Sequence, residues 1–387
     1  MKILFMTWSV YDPRIEKFAQ NSNGTKVIMD ICEYVGRKEE AYLFIGAEKL
    51  SPMELDHVHV VGTEQYEDVV NEELPQEELW LLTMMKAFTA ALDNIQPDLV
   101  SIQGLGELSK RCMMICKEKG FPYVYTEHLY IGKKEALLNS DKIKKWRHNI
   151  YTIPDLRIIA VSKGMRRKIL KDYPNLKGQI NAIANGTDFK ADIIESDLAD
   201  KYHLHGKKVL LCVGTIHERK NQRQIVRAFR LLPEGIQKNI KILFCGRDCR
   251  AGHLRILLQD IEEAGLGEQL IYVGNKSKDD MKKFYSISSG LIMPSLAEGL
   301  SLAMLENITY GQPVILFRDS ECMEDLSDEG VVQIAEKRSD ECLADAIVKW
   351  YGKDWDKEYI IEFSKYFTME RMANDYLDYF KKLLMKR

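Results

Sequence analysis

The regular alternation of short apolar runs with longer helical patterns constrains this 387-residue chain more than any other feature. Runs rich in β-branched and apolar residues recur as KILFMTW (2–8), EAYLFIG (40–46), HVHVVG (57–62), PDLVSIQG (97–104), PYVYTEH (122–128) and LRIIAVS (156–162). The rhythm repeats with KVLLCVG (208–214), IKILFCG (240–246), LIYVG (270–274), GLIMPS (290–295), QPVILF (312–317) and GVVQI (330–334). Strands that are apolar over most of their length need cover on both faces, and the intervening helices supply it, which predicts doubly wound parallel α/β sheets. Two such series, in a chain longer than one hydrophobic core usually serves, predict two Rossmann-like domains.

A turn-rich segment at 183–208, with Asn185-Gly186 as its sharpest turn signal, separates the two series and reads as the linker. The resulting division is 1–188, 189–365 and a terminal piece, 366–387. That last piece is an amphipathic helical pattern with Met372, Tyr376, Tyr379, Phe380 and Leu383 at helical spacing, able to pack on either domain.

A net charge of −3 lacks the basic footprint of a dedicated nucleic-acid binder. The opening MKILFMTWSV has a short apolar run and no small-residue cleavage site, so it reads as a first strand rather than a leader. No apolar stretch reaches the roughly 18–20 residues that span a bilayer. The eight scattered cysteines fit reduced, mostly buried thiols of a cytoplasmic protein. The pairs Cys112/Cys116 and Cys245/Cys249 lack both the C-x-x-C spacing and the histidine partners of a zinc site.

In open parallel sheets ligands sit beyond the carboxyl ends of strands, so those loops carry the functional expectations. After the strand ending at Gly214, Arg219 and Lys220 stand at a loop-to-helix junction, where two cations beside helix-start amides suit a diphosphate. After GLIMPS, the loop LAEG carries Glu298, and the helix that follows carries Glu306, with Leu302, Leu305 and Ile308 facing inward. Eight helical residues would rise about 12 Å and turn about 80° beyond two revolutions, so the carboxylates serve two points along an elongated ligand rather than one scissile bond. Gly299, without a side chain, lets backbone amides approach phosphate oxygens between them.

These residues resemble the retaining glycosyltransferases of the GT-B class, family 4 (glycosyl transferases group 1). The resemblance rests on the E-x7-E segment EGLSLAMLE (298–306), the loop VGTIHERKNQRQIVRAF (213–229), IIAVSKGMRRKIL followed by IANGTD, and YTEH (125–128). It implies a metal-independent enzyme without a cofactor, two Rossmann-like domains facing a cleft, and a final helix that returns to the first domain. The donor would be a nucleotide sugar, UDP first and GDP next, and the acceptor a sugar, lipid-linked or glycoconjugate hydroxyl in surface polysaccharide synthesis. Glu306 would accept hydrogen bonds from the donor ribose, and Glu298 would lie beside the transferred sugar. Gly299, Leu300 and Ser301 would present backbone amides, Gly214 and Thr215 would line the phosphate loop, and Arg219 and Lys220 would neutralise the departing diphosphate. His128 would contact the transferred sugar, with the role of neighbouring Glu127 left open.

The chain departs from the family where a Gly-Gly pair usually precedes the first helix: it has FAQNSNGTK, leaving Gly24 with Thr25 to approach the diphosphate or acceptor. Thr215 stands where many relatives carry arginine. The pair Asp354/Asp356 in DWD has no preceding strand and does not read as a metal site. Alternatives remain: Gly104-x-Gly106-x-x-Ser109 with Glu127 mimics a dinucleotide fingerprint and an oxidoreductase, a GT-B epimerase would not transfer sugar, and a binding protein would only retain the donor. Basic residues with Trp146 at 132–148, and again at 163–173, read as a solvated helix face or as contact with an anionic membrane.

Overall fold

The computed structural model describes residues 1–10, 12, 14–15, 26–132, 141–192, 194–249 and 252–385. Among them, strands β1 (Lys2–Thr7), β2 (Glu40–Ile45), β3 (Met53–Leu55), β4 (Val58–Val60), β5 (Leu99–Gln103), β6 (Tyr123–Glu127), β7 (Ile158–Ala160) and β8 (Ile180–Ala182) form one sheet, in the order β3-β4-β2-β1-β5-β6-β7-β8. A second sheet joins β9 (Lys208–Val213), β10 (Ile240–Cys245), β11 (Leu270–Gly274), β12 (Gly290–Met293), β13 (Val314–Phe317) and β14 (Val332–Ala335), in the order β11-β10-β9-β12-β13-β14. Neighbours pair in parallel except β3 with β4. Contacts divide the chain into Met1–Asn185 with Met369–Arg387, and Gly186–Thr368.

Each sheet reverses its winding once, between β1 and β5 in the first and between β9 and β12 in the second. At such a point the loops leave in opposite directions and open a crevice at the carboxyl ends of the strands. The strands are buried as a two-sided sheet requires: Ile3 to Met6, Leu210 and Leu211, and Leu291 and Ile292 have no exposed surface. Ser162, Ser277 and Ser339 cap the helices that follow them by accepting hydrogen bonds from Met165, Asp280 and Cys342 amides.

Two elements depart from the sequence expectation. The segment HVHVVG is the second arm of a hairpin whose first arm, β3, pairs antiparallel at the sheet edge. β8 lies inside the stretch next to the expected linker and was not expected as a strand. Both β3 and β8 are three-residue edge strands, too short for a period to separate strand from loop.

The last helix, Met369–Leu384, packs on the first unit against the helix Lys26–Gly36. Its buried stripe is Met369, Met372, Ala373, Tyr376, Leu377 and Phe380, while Tyr379 and Leu383 are only half-buried. The Phe380 ring lies 6.5 Å from that of Phe5 on β1, and Lys38 donates to Asn374 at 2.6 Å. No helix among the described residues is long and apolar enough to cross a membrane. Truncating a fully buried phenylalanine removes its burial and leaves a cavity, so Phe380→Ala is expected to cost about 3–5 kcal/mol in urea unfolding of the first unit's transition. A loss below about 1 kcal/mol would mean that the helix is not part of that core.

Candidate active site

The winding reversal of the second sheet brings together two loops distant in sequence. β12 pairs with β9 through Gly290–Leu210 and Leu291–Leu211, so the segments leaving Val213 and Met293 emerge side by side. The first runs through Gly214, whose φ of 141° suits glycine, into a 3-10 turn at Glu218–Lys220 and the helix Gln222–Arg230. Lys220 folds back over Gly214: a Cβ there would lie 3.0 Å from the lysine Cε. Thr215 is held from the helix side, its carbonyl accepting from Gln222 Nε2 at 3.0 Å.

Glu298 closes the two loops into one cluster. Its Oε1 lies 2.7 Å from Arg219 Nη1 and 2.6 Å from Lys220 Nζ, and the same Nη1 donates to the Ala297 carbonyl at 2.7 Å. Exposure of the three side chains is 12% for Glu298, 23% for Arg219 and 13% for Lys220, which separates them from solvated surface charges. Burial pushes the Glu298 carboxyl up, but the charges of Lys220 and Arg219 and the lysine hydrogen bond outweigh it and hold it at about 2. Arg219 and Lys220 together carry eight N–H donors, more than Glu298 and Ala297 accept, so the cluster retains donor capacity for a further anion.

Glu306 sits on the second turn of the helix Leu302–Thr309, and its Oε2 accepts from the Tyr285 hydroxyl at 2.8 Å. Glu298 lies in the preceding loop, so the two carboxylates occupy separate settings. Of the residues expected to face inward, Leu305 and Ile308 are fully buried and Leu302 is half-buried. Leu300 and Gly299 are buried, and Ser301 is the N-cap without a side-chain capping bond. An uncapped helix start leaves backbone N–H groups to be satisfied by water or ligand.

Two supports escaped the sequence reading. Glu321, at the start of a 3-10 turn after β13, accepts from the Glu298 amide at 3.2 Å and is 4% exposed. Arg338 donates to the Ser295 carbonyl at 2.7 Å and to Asp319 at 2.8 Å, bracing the loop from β14's side. Their partners lie 23 and 43 residues away, and no local pattern marks such contacts.

In the first unit, His128 follows β6 and lines two adjoining hollows of about 280 and 160 Å³ at the carboxyl ends of β5 and β6. Gln103 donates to Ser101 Oγ at 2.8 Å, so its Oε1 faces His128 Nε2 at 2.8 Å and assigns the proton to that nitrogen. Burial pushes the imidazole down to about 4, which keeps it neutral near pH 7, and the buried Nδ1 has no hydrogen-bond partner among the described residues. Glu127 does not join it: its Oε2 accepts from Tyr151 at 2.7 Å and Tyr125 at 3.0 Å inside the core. That engagement also removes Glu127 from the ribose-binding part of the dinucleotide alternative. Gly104 has a φ of 85° and accepts from Ser109 Oγ at 2.9 Å, a turn held by its own loop. Gly24 and Thr25 lie outside the described residues.

Asp356 caps the helix Lys357–Ser364 by accepting from the Tyr359 amide at 3.0 Å, which accounts for half of the DWD pair. Trp146 lines the larger hollow and lies beneath Lys142 at 4.9 Å. All eight cysteines are free, with Cys249 and Cys342 partly exposed. The pair Cys245/Cys249 keeps its unfavourable spacing, but two histidines come near Cys249: ligand atoms of His217, Cys249 and His253 all lie within 4.8 Å of one another. The sequence hid this because His217 comes from a different strand's loop.

Residues 194–366 match the sequence profile of glycosyl transferases group 1, and residues 42–191 match that of glycosyltransferase family 4. An uncharacterized glycosyltransferase of Methanocaldococcus jannaschii is 23% identical over 275 residues, 67% of each chain. The O-antigen chain mannosyltransferase B of Escherichia coli is 26% identical over 179 residues, covering 45% of this chain and 46% of its own, so this chain matches less than half of that relative. The sucrose-phosphate synthase of Thermosynechococcus elongatus superposes over all of both chains with a TM-score of 0.76 at 18% identity. The Anabaena protein HepE, crystallised with UDP and glucose, gives 0.72 at 15% identity, over 99% of this chain and all of its own. With both sequence profiles and the paired Rossmann-like sheets in agreement, the chain belongs to the GT-B glycosyltransferases of group 1, family 4.

Proposed function

We propose that the protein transfers a hexose or N-acetylhexosamine from a nucleotide sugar to an acceptor hydroxyl with retention of anomeric configuration. The observation that carries this reading is the Arg219–Glu298–Lys220 cluster, two nearly buried cations converging on one carboxylate beside an uncapped helix start. As the glycosidic bond breaks, negative charge grows on the departing diphosphate, and cations already in place stabilise it without reorganising. Glu306, oriented by Tyr285, accepts from the ribose hydroxyls, and Gly299, Leu300 and Ser301 present amides to the phosphates and sugar. The donor belongs to the unit Gly186–Thr368 and the acceptor to the unit Met1–Asn185, whose His128 offers a neutral imidazole to a sugar hydroxyl.

No carboxylate in this reading serves as a covalent nucleophile. The acceptor hydroxyl attacks from the leaving-group side, and the departing phosphate takes its proton. UDP is the first nucleotide to test, since a protein of the same fold is crystallised with it, and GDP is the next. A relative named as an O-antigen mannosyltransferase makes a hexose and a surface-polysaccharide acceptor the leading pair.

A thermal-shift panel of UDP-, GDP-, ADP- and TDP-sugars is expected to raise Tm with one nucleotide, because a ligand that binds only the folded state stabilises it. With that donor, Glu306→Gln should weaken binding about tenfold, in line with a lost charge-assisted hydrogen bond. Lys220→Ala should lower turnover on the order of 10²-fold. Unchanged kinetics in both variants would sink the site assignment.

Glu298 also predicts a pH dependence. Its folded pKa of about 2 lies below the ordinary 4.5, so its stabilisation is fully present above 4.5 and is lost as pH falls from there to about 2. The stability gap between the wild type and Glu298→Gln should therefore narrow over that range in chemical unfolding. A gap independent of pH would show that the carboxylate is not ionised by its two cations.

Peripheral contact with an anionic membrane belongs to the same proposal, through Lys142 and Lys144 on the helix Asp141–Tyr151. Anionic vesicles should carry the protein upward in flotation at low salt and release it at high salt. Flotation that ignores salt or lipid charge would remove this part.

A further inference from the structure

We propose that His217, Cys249 and His253 form a binding site for a zinc-class metal ion, and that occupation of this site opposes donor binding. The sheet register builds the site. β9 and β10 pair with Val213 opposite Cys245, and an isolated bridge sets Ile216 opposite Asp248 in the same register, with the Ile216 amide donating to the Arg247 carbonyl at 2.9 Å. His217 and Cys249 are the next residues in line across the two strands. His253 opens the helix His253–Glu263 four residues after Cys249, and the imidazoles of His217 and His253 lie 5.2 Å apart.

Donor atoms of all three side chains fall within 4.8 Å of one another. A tetrahedral zinc ion with bonds of about 2.0–2.3 Å needs its ligands about 3.5 Å apart. Side-chain rotation of about an ångström closes that gap, and these side chains are exposed or half-exposed rather than locked in the core. Two imidazole nitrogens and one sulfur select a borderline-soft ion such as Zn²⁺ over Mg²⁺ or Ca²⁺. Binding releases the thiol proton of Cys249 to solvent, because the metal ion takes the sulfur as thiolate. Three protein ligands leave a fourth position for water.

The coupling to the donor loop comes from a single lone pair. His217 Nδ1 accepts the Arg219 amide at 3.1 Å and so caps the 3-10 turn that carries Arg219 and Lys220. A neutral imidazole has one unprotonated nitrogen, and that nitrogen is already in use. A metal ion that takes this lone pair releases the Arg219 amide and loosens the turn that presents both cations. By linkage a bound donor must weaken the metal in equal measure. This second half rests on the donor site proposed above, whereas the metal site itself does not.

The test is titration of the metal-free, reduced full-length protein with Co²⁺, followed by the sulfur-to-cobalt charge-transfer absorption. One equivalent should develop the band, Zn²⁺ should abolish it, and Cys249→Ser should lack it while keeping the wild-type circular dichroism. Removal of one imidazole in His253→Ala should weaken binding at least tenfold. Absence of the band in the wild type, or its survival in Cys249→Ser, overturns the site, the latter marking adventitious metal only. In a second arm, UDP binding is measured by calorimetry with and without one equivalent of Zn²⁺, and a several-fold weaker Kd is expected with zinc in the wild type but not in Cys249→Ser. Equal UDP affinity in the two conditions overturns the coupling. Failure of UDP and the other nucleotides to bind metal-free protein overturns the donor reading and, with it, the coupling, but leaves the cobalt result standing.

Discussion

A carboxylate that must remain ionised with little access to water organises the second unit. Glu298 can do so only because Arg219 and Lys220 reach it from a loop 79 and 78 residues earlier in the chain. Removing one partner of such a pair strands a charge and costs about 3–5 kcal/mol, so the two loops hold each other in place. The glycine contacts follow from the same closeness. Lys220 crosses directly over Gly214, and a Cβ on Gly246 would fall 1.9 Å from the Gly214 carbonyl oxygen. Glu321 and Arg338 then fix the backbone leading into Glu298 through hydrogen bonds to its amide and to the Ser295 carbonyl. The cost of an ion pair in a nearly dry setting is met by a shell of directional bonds, which gives the loops one arrangement rather than many.

The first unit uses a different electrostatic solution at the carboxyl end of β6. Burial raises the pKa of Glu127, while Arg147 and the hydroxyls of Tyr151 and Tyr125 pull it the other way. Tyr151 stacks on Tyr130, whose hydroxyl donates to Asp172 at 2.7 Å and whose ring lies 4.9 Å from the Arg147 guanidinium. This network stiffens the floor beneath His128 rather than supplying a reactive group. His128 is kept neutral by desolvation alone, with one nitrogen tied to Gln103 and the other buried beside the hollows. One unit thus presents cations shared with a carboxylate, and the other presents an uncharged imidazole among apolar walls. The difference follows from the partners within about 3 Å of each group.

The loops after β9 and β10 show how one register has several consequences. The pairing that aligns Val213 with Cys245 continues to Ile216 and Asp248. It therefore places a histidine of the cation-bearing loop beside a cysteine whose spacing in sequence signalled nothing. The same histidine caps the turn carrying Arg219, which makes local backbone geometry and side-chain chemistry inseparable there.

The sequence by itself determined the two series of buried strands, the doubly wound class, the loops in which Arg219, Lys220 and Glu298 would be found, and the helix that carries Glu306. These are written in local composition: apolar runs of strand length, glycines at turns and an E-x7-E spacing that separates a loop residue from a helical one. Three-residue edge strands such as β3 and β8 carried too little pattern to be read. The true inner face of the last helix, with Leu377 in place of Leu383, needed its neighbours to be known. Only the tertiary structure decided that Glu298 is shared by two cations, that Glu127 belongs to the core while His128 does not, and that Cys249 has histidine neighbours. Those facts depend on which strands pair and in what register, a choice made by burial across the whole sheet and therefore absent from any short stretch of the chain.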